Sequence, residues 1–345
     1  MAHTMKQGKF PPELLDRLLA TVPSTDDRVL LGPALGEDAA LIDMGDRVLV
    51  AKADPITFAS DLIGWYAVHV NANDVACSGA TPRWFLATLL APQDFEEAQA
   101  EAVFGQLLEA CQALGITLVG GHSEITGTVE RPVVAGFMLG EVDKGKHVTT
   151  RGAMEGDSIV VTKGVAIEGT ALLARDAPDD LHQAGVAGET VARARELLFS
   201  PGISVVRDAL VACAATEVHS LHDPTEGGLA TGLAEVARAA GVGLAVEEGS
   251  IPVLPECLEV CEALGLDPLG LLASGALLIT LAPENVPALV TALEREGIDA
   301  YEIGHVTDPG EGVSMISTTS HELVPLTSFE RDELARWFDS GRRTG

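Results

Sequence analysis

The stretch GPALGEDAALIDMGDRVLVAKADP, residues 32–55, carries carboxylates at both ends of an apolar segment. Two apolar runs flank the turn sequence MGD, which predicts a pair of antiparallel strands. Asp38 precedes the first strand, and Asp54 ends the second strand just before a proline. Because side chains at strand ends can reach into one cleft, this stretch is the first candidate for a site.

The composition is that of a globular protein with a strong acidic excess. The chain has 345 residues, 47% hydrophobic and 21% charged, and this length favours two domains. With 51 acidic against 22 basic residues the net charge is -29, which repels nucleic acid and acidic membranes, so an anionic ligand needs an accompanying cation. No apolar run is long enough to span a membrane, and the start lacks a signal core. We therefore expect a cytoplasmic protein.

The pattern of apolar residues predicts an α+β fold in two parts. The first part is expected to run helix (residues 12–21), strand, strand, helix, strand, helix, strand, strand. The pattern restarts near residue 150, which predicts domains at 1–150 and 151–330 and a tail at 331–345 that frays at its end. The second part is predicted to contain strands at 158–162, 217–221, 242–247, 275–281 and 299–306, and helical segments at 187–215, 225–240, 255–264 and 284–297.

Acidic and amide side chains beside apolar elements are candidates for a metal site. Asp38 and Asp54 lie at strand ends, whereas Asn73 and Asp74 lie in the predicted helix HVNANDVACSG. Mg²⁺ takes carboxylate oxygens and keeps water and phosphate as its other ligands, so acids that converge from separate elements suit a metal-nucleotide site. The alternative is that the first two only form turns and the other two lie on a polar helix face. Spacing alone leaves both interpretations open.

The segment ITLVGGHSEIT runs from a predicted strand into a glycine pair and a histidine. Gly120 and Gly121 would let the backbone approach a ligand closely, and His122 could contact phosphate or act as an acid or base. The alternative is a tight turn that carries an ordinary exposed histidine.

The segment LHDPTEGGLATG begins another predicted helix. Asp223, Pro224 and Glu226 fit a capping box with proline at its favoured position, which is a purely structural interpretation. Gly227 and Gly228 weaken the first turn, however, and a helix start with small residues suits an anion. The glycines favour a phosphate neighbour.

Several common signatures are absent from the sequence. There is no P-loop, no dinucleotide fingerprint, no His-Glu-x-x-His and no Gly-x-Ser-x-Gly. The 5 cysteines include no Cys-x-x-Cys pair, and Cys257 and Cys261 are expected to be reduced core thiols. A nucleotide site in this chain would be of another kind.

Six motifs occur along the chain in a set order: GEDAALID, KADPITF, NANDVACSGATP, LVGGHSEIT, HDPTEGGLATGLAEVA and LASGALLIT. In this order they resemble the superfamily of aminoimidazole ribonucleotide (AIR) synthetase, and within it the AIR synthase related, HypE-like proteins. HypE is the hydrogenase expression/formation protein that dehydrates a carbamoyl group to supply cyanide ligands. Thiamine-monophosphate kinase and selenophosphate synthetase are more distant members. The resemblance covers roughly residues 6–310.

The resemblance implies a two-domain PurM-like α+β fold, with an N-terminal ATP/Mg-binding and dimerisation domain whose sheet pairs with that of a second subunit. Members use ATP to phosphorylate an oxygen, often of an amide or carbonyl, with Mg²⁺ held against the phosphates. The aspartates at the corresponding motifs make Asp38, Asp54 and Asp74 the implied metal ligands, with Asn73 as a helper. Asp74 and His122 are the implied catalytic residues.

The residues that the resemblance implies as contacts of ATP are glycines and two polar residues, which are Gly36, Asn73, Gly120, Gly121, His122, Gly227 and Gly228. Among cationic residues, Lys9, Arg83, Arg131 and Lys163 are further candidates for phosphate, each with solvated surface charge as the alternative.

The chain departs from its relatives in ways that leave the acceptor open. HypE ends in a cysteine that carries the carbamoyl group, whereas the last cysteine here is Cys261, and Ala53 stands where a threonine is expected. Selenophosphate synthetase needs an early reactive cysteine and a lysine, but the first 20 residues offer only Lys6 and Lys9. Thiamine-monophosphate kinases carry Gly-Gly-Asp-Thr where this chain has Gly-Gly-His-Ser.

The resemblance therefore implies a homodimeric, Mg²⁺-dependent, ATP-binding enzyme that transfers a phosphoryl group to a small acceptor. One alternative is a non-catalytic ATP-binding accessory or scaffold protein that acts on a maturation partner. The other is a small-molecule kinase like thiamine-monophosphate kinase.

Overall fold

A computed structural model describes residues 10–23, 25–57, 59, 61–327, 329 and 331–339. Lys6 and Lys9 lie outside the described residues, as does the end of the chain at 340–345, which the sequence predicts to fray. The described chain forms two sheets with helices packed against them, which confirms the predicted α+β class.

The first part of the described chain contains α1 (Pro12–Leu19), β1 (Val29–Leu31), β2 (Ala40–Asp43), β3 (Arg47–Ile56), α2 (Ile63–Ala76), β4 (Thr81–Ala91), α3 (Glu97–Ala113), β5 (Thr117–Ile125) and β6 (Val133–Asp143). The strands form one sheet in the order β1-β2-β3-β6-β4-β5. All pairs are antiparallel except β4 with β5, whose parallel pairing requires the crossover that α3 supplies. Apart from β1, the elements follow the predicted order.

The second part contains β7 (Ser158–Thr162), α4 (Ile167–Asp176), α5 (Pro178–Gln183), α6 (Gly188–Glu196), α7 (Val206–Ala215), β8 (Ser220–His222), α8 (Gly228–Ala240), β9 (Gly243–Glu247), α9 (Pro255–Leu264), β10 (Leu278–Leu281), α10 (Val286–Arg295), β11 (Ala300–Thr307), β12 (Val313–Ile316), β13 (Leu323–Pro325) and α11 (Glu333–Asp339). Its sheet has the order β13-β12-β9-β11-β7-β10-β8. The strands of the first sheet all precede residue 150 in the sequence, and those of the second sheet all follow it. The division into two domains at this residue stays a prediction.

The predicted helical segment 187–215 is not continuous. A π-helical turn, Leu198–Gly202, separates α6 from α7, and Pro201 inside this turn cannot donate a helical hydrogen bond. Taken as one stretch, Gly188–Ala215 has 28 residues and is long and apolar enough to span a membrane. An 18-residue window within it has a mean hydropathy of 1.5. Because 50% of that window is buried inside the fold, a core helix accounts for the same composition.

The segment that the sequence assigns to a tail contains α11. Leu334 and Trp337 of this helix are buried against the second part of the chain. The sequence pattern also missed α4, which is buried along most of its length and therefore shows no polar face.

Helix α2 lies between the first sheet and the second part of the chain. It contacts α3, β3 and β6 of the first part and α7 of the second part, and most of its residues are buried. Its polar residues Asn71, Asn73 and Asp74 are buried with it. Buried polar groups need partners, so this helix marks the place to look for a site.

Strand β5 forms one edge of the first sheet. Most of its residues are exposed, including Val119 at 51% and Ile125 at 58%. An uncovered apolar edge strand presents unpaired backbone groups to any second strand that approaches it.

Candidate functional site

Four aspartates from both parts of the chain surround one lysine. These residues, Asp38, Asp54, Asp74, Asp223 and Lys52, are called the acidic cluster below. The Lys52 Nζ lies 3.2 Å from Asp74 Oδ1 and 3.5 Å from Asp54 Oδ2. Burial by itself lowers the pKa of Lys52, but the four neighbouring carboxylates outweigh it and raise that pKa above its usual value. The lysine is therefore a permanent cation within the cluster.

Asp74 is the most deeply buried acid of the first part of the chain in this cluster. It is 6% exposed, and its Oδ2 has no hydrogen-bond partner among the described residues. Burial raises the pKa of Asp74 well above its usual value, with Lys52 opposing the shift and the other aspartates adding to it. A buried carboxylate oxygen without a donor is a position at which a cation would be stabilised.

Asn71 fixes the backbone that carries Asp54. Its Oδ1 accepts a hydrogen bond from the Asp54 backbone N–H at 2.9 Å, and its Nδ2 donates to the Asp54 carbonyl at 3.1 Å. Asn71 and Asp74 are three residues apart on α2 and so share one face of the helix. The pair therefore sets the end of β3 against α2.

His222 connects Asp38 to α8. Its Nδ1 lies 3.1 Å from Asp38 Oδ2 and its Nε2 lies 3.1 Å from Glu235 Oε2. Burial lowers the pKa of His222, but the two carboxylates more than compensate and raise it well above its usual value. The imidazolium therefore donates to both acids.

A glycine explains how Asp38 reaches this position. Gly36 has a φ of 82°, and a Cβ there would lie 3.2 Å from the Glu235 carbonyl oxygen on α8. Glycine therefore allows the segment before Asp38 to pack directly on α8. The structure assigns Gly36 this packing contact, whereas its predicted contact with ATP stays a prediction.

Asp38, Asp223 and Cys77 form a group whose potential ligand atoms lie within 4.8 Å of one another. Cys77 Sγ donates to Asp223 Oδ1 at 3.4 Å, and burial raises the pKa of this thiol well above its usual value. Burial, followed by the charge of Asp38, raises the pKa of Asp223 to about 7. Because the sulfur keeps its proton, the group offers hard oxygen ligands rather than a thiolate.

The predicted metal ligands Asp38, Asp54 and Asp74 thus lie in one cluster, but Asn73 does not join them. Its Nδ2 donates to the Ile203 carbonyl at 2.8 Å, and its Oδ1 accepts from the backbone N–H of Val205 at 2.9 Å. Both ends of the amide hold α2 against the segment before α7, so the contact of Asn73 with ATP stays a prediction without support from this geometry.

The Gly-Gly-His segment lies away from the acidic cluster. Gly121 occupies the same row of the sheet as Asp54, but β6 and β4 lie between them. Three strand spacings of about 4.8 Å separate the two residues by about 14 Å. His122 is exposed, and its nearest partner is Glu124, with a Nε2 to Oε2 distance of 3.4 Å. Within one copy of the chain these residues and the cluster form no common site.

Helix α8 begins at the second glycine pair, Gly227 and Gly228, and not at Asp223 as the predicted capping box requires. The helix starts at Gly228, and its N-cap is Gly227 in the left-handed conformation. The Gly227 backbone N–H donates to Asp332 Oδ2 at 2.7 Å, so a carboxylate of the chain itself lies at this helix start. The capping interpretation of Asp223 was therefore wrong, because two left-handed glycines delay the helix and leave Asp223 in the cluster.

The cationic candidates have mixed surroundings. Lys163 is buried and donates to the Ser204 carbonyl at 2.6 Å, which makes it a structural residue. Arg83 pairs with Glu141 at 3.5 Å, and Arg131 is exposed. Among the residues that the structure describes, none of these three forms an ion pair with the acidic cluster.

A cavity of about 180 Å³ adjoins the cluster between the two parts of the chain. Its polar lining consists of acids and hydroxyls, which are Asp54, Thr57, Tyr66, Glu168, Thr225, Glu226 and Ser274. The Tyr66 hydroxyl is buried without a hydrogen-bond partner among the described residues. Burial raises the pKa of Glu168 to about 7.

The raised pKa of Glu168 predicts a pH-dependent stability. The folded state holds the proton more tightly than the unfolded state, so this contribution is complete below the ordinary value of 4.5 and is lost as the pH rises to about 7. We expect Glu168→Gln to raise the free energy of unfolding at pH 8 by about 2 kcal/mol and to change it little at pH 4.5. Urea titrations at both pH values measure the difference.

Glu97→Gln, which removes an exposed carboxylate, is the matched control and should change neither value. A Glu168→Gln protein that is less stable than the wild type at pH 8 would show that the charged carboxylate is required there.

The residues of the site that sequence reasoning missed are Lys52, Asn71, His222 and Asp223, the last of which it assigned to a helix cap. Lys52 lies two residues before Asp54 on a strand, so alternation places both side chains on one face, which is a signal that the sequence does contain. His222 meets Asp38 only through the packing of the two parts of the chain, and no local pattern indicates that contact.

Two family models match most of the chain. The model described as AIR synthase related protein, N-terminal domain, matches residues 36–142, and the model described as AIR synthase related protein, C-terminal domain, matches residues 154–317.

Curated relatives extend over nearly the same region. A protein of Methanocaldococcus jannaschii with the provisional name hydrogenase expression/formation protein is 27% identical over 327 residues, which is 92% of this chain and 94% of the relative. Carbamoyl dehydratase HypE of Escherichia coli is 30% identical over 278 residues, which is 78% of this chain and 79% of the relative.

Solved structures share the fold. Hydrogenase maturation protein HypE in complex with ATP aligns with a TM-score of 0.71 at 23% identity and covers 93% of both chains. HypE in the HypE-HypF complex aligns with a TM-score of 0.71 at 22% identity and covers 85% of this chain and 93% of that one. AaThiL in complex with AMPPCP and TMP gives 0.69 at 22% identity and covers 88% and 91%.

Proposed function

The chain belongs to the AIR synthase related protein family, and from this membership we propose that it is an ATP-binding, Mg²⁺-dependent protein of HypE-like maturation that transfers a phosphoryl group to a small acceptor. The observation that carries the proposal is the acidic cluster, in which both parts of the chain deliver carboxylates to one buried place. Among solved structures with the same fold, one is HypE in complex with ATP, and another is AaThiL in complex with AMPPCP and TMP.

The donor set fits a magnesium ion. Asp38 and Asp223 offer hard oxygens close together, and the free Oδ2 of Asp74 is a buried acceptor without a donor. These three residues would hold the ion, with waters and phosphate as its remaining ligands. Bound Mg²⁺ would neutralise phosphate charge, which an acidic protein needs before it can accept ATP.

A homodimer is part of the proposal. In one copy of the chain His122 lies on an exposed edge strand, away from the cluster. The edge of β5 is open to a second strand, and Val119 and Ile125 would be covered by such pairing. Gly120, Gly121 and His122 would then approach the nucleotide site of a second copy, which is how these residues keep their proposed role.

The acceptor is proposed to be small and free of phosphate. The cavity beside Asp54 has about the size that holds a benzene-like molecule. Its described lining contains carboxylates and hydroxyls but no lysine, arginine or histidine. A phosphate monoester would be repelled there, so this observation counts against a kinase that resembles thiamine-monophosphate kinase.

A non-catalytic accessory protein is the second candidate. The five cysteines of this chain are buried or half-buried, and burial raises the pKa of Cys111 and Cys213 to about 11 and of Cys257 to about 12. None of them is an accessible thiolate that could carry a substrate group. A HypE-HypF complex exists among proteins of this fold, so a maturation partner is the proposed binding counterpart of such an accessory protein. The cytoplasm stays the predicted location in either case.

Calorimetric titration with ATP, with and without Mg²⁺, tests the proposal. We expect binding in the micromolar range that requires Mg²⁺, because the carboxylates otherwise repel the phosphates. An assay for ADP release on the same sample, followed by phosphorus NMR of candidate acceptors, then measures phosphoryl transfer. Binding without ADP release would support the accessory protein, and no binding in either condition would contradict both candidates.

A further inference from the structure

We propose that Lys52 is a built-in cation that takes the place of a divalent metal ion between Asp54 and Asp74. A metal ion would then bind only in the other half of the acidic cluster, beside Asp38 and Asp223. This inference concerns the site of the proposed function and rests on it for the role of the metal, but it can be tested without nucleotide.

The first support is the position of the ammonium group. Lys52 Nζ lies between two carboxylates that come from different elements, at 3.2 Å from Asp74 Oδ1 on α2 and 3.5 Å from Asp54 Oδ2 on β3. A metal ion that joins the end of a strand to a helix would need this same bridging position. Only 21% of the lysine side chain is exposed, so water screens these contacts weakly.

The second support is the difference between the two halves of the cluster. Among the described residues, Lys52 is the only lysine or arginine that forms an ion pair with an aspartate of the cluster. Its ion pairs are with Asp54 and Asp74. In the other half, Asp38 Oδ2 accepts hydrogen bonds from the His222 imidazolium at 3.1 Å and from the Thr150 hydroxyl at 3.4 Å. Among the described residues, the hydrogen bond that Asp223 accepts is a weak one from Cys77 at 3.4 Å. This half keeps oxygens available to a metal ion.

The third support is an oxygen that faces no donor. Asp74 uses Oδ1 for Lys52, whereas its Oδ2 is buried and has no hydrogen-bond partner among the described residues. One carboxylate can therefore serve both cations, with the ammonium on one oxygen and a metal ion on the other. This arrangement makes Lys52 a positioning residue, because it holds Asp74 in place whether or not a metal ion is bound.

The two kinds of cation have different consequences. An ammonium group is covalently attached, so it stabilises Asp54 and Asp74 at any metal concentration. It carries one positive charge instead of two and binds oxygens through its three N–H donors, so it offers no coordination positions for water or phosphate oxygens as a metal ion does. Removal of the lysine charge should therefore create a vacancy for one further divalent ion.

The experiment counts Mn²⁺ ions bound per chain in the absence of nucleotide, by the electron paramagnetic resonance signal of free Mn²⁺. We expect Lys52→Met to bind one more Mn²⁺ ion per chain than the wild type, and Lys52→Arg, which keeps the charge, to match the wild type. In a chelator, the Tm of Lys52→Met should fall by about 5 °C, because the buried Asp74 and the half-buried Asp54 lose their counter-ion, and Mn²⁺ should restore most of the loss. An unchanged ion count in Lys52→Met would overturn the proposal.

The double variant Lys52→Met with Asp54→Asn covers the case in which the single variant does not fold. It removes one charge of each sign, so it should regain most of the lost Tm without metal and should bind no extra Mn²⁺. Extra Mn²⁺ in this variant would also overturn the proposal. If the wild type binds no Mn²⁺ but Lys52→Met binds one ion, the role of Lys52 stands, and the metal dependence of the proposed function fails on its own.

Discussion

Asp38→Asn, Asp74→Asn and Asp223→Asn should each lower ADP release by about 100-fold or more at saturating ATP and Mg²⁺. Each change removes one charged oxygen donor from a cluster that water reaches poorly, while the amide keeps nearly the same shape. The effect should be larger for Asp74, which is 6% exposed, than for Asp54, whose side chain is 39% exposed. Initial rates of ADP release at several Mg²⁺ concentrations measure the loss.

Asp143→Asn is the matched control for these variants. This acid lies at the end of β6, is largely exposed, and pairs with Arg47 at 3.4 Å, so the same chemical change occurs far from the cluster. The control should retain wild-type turnover. Full activity in Asp38→Asn and Asp74→Asn would remove these residues from the proposed site, and a loss of secondary structure in circular dichroism would mark a folding defect instead.

Gly121→Ala should destabilise the protein by about 3 kcal/mol, whereas Gly120→Ala should change its stability by less than about 1 kcal/mol. A Cβ at Gly121 would lie 1.9 Å from the Ala87 carbonyl oxygen on β4, and the φ of 150° is one that favours glycine. At Gly120 the nearest atom to a new Cβ is a side-chain carbon of Leu86 at 3.8 Å. Urea unfolding of the two variants compares adjacent glycines with the same chemical change.

This pair separates two explanations of the glycine motif. If both glycines serve to admit a ligand, the two variants should be similar to each other in stability. Each should then differ from the wild type only in nucleotide binding. If the strand pairing requires Gly121, only that variant loses stability in the absence of nucleotide. Equal stability of both variants would contradict the packing argument.

The sequence predicted those parts of the site that depend on local pattern. Asp38 and Asp54 flank two strands that the apolar alternation identifies, and Asp74 follows from its helix, so their meeting could be expected. The separation of His122 from the cluster could not, because it depends on β6 lying between β3 and β4. Strand order is set by packing between distant segments, which local pattern does not record.

Residues with two plausible roles were the hardest to assign. Asp223 has the residue type of a helix cap, and only the left-handed glycines that follow it show that the helix begins later. Asn73 and Asn71 lie on the same helix and have the same chemistry, yet only Asn71 holds a residue of the cluster. Their difference arises from the direction of each side chain around α2, which depends on where the helix packs.

The division of the acidic cluster between the two parts of the chain bears on how such proteins can be recombined. Asp38, Asp54, Asp74 and Lys52 come from the first part, whereas Asp223 comes from the second, as does His222, which contacts Asp38. A chimaera that joins the first part of this chain to the second part of a relative would combine charged residues of two proteins at one site. The charges on the two sides of this site would not have evolved together. Electrostatic matching across the junction would therefore restrict which halves of related proteins can be exchanged, even where their backbones superpose well.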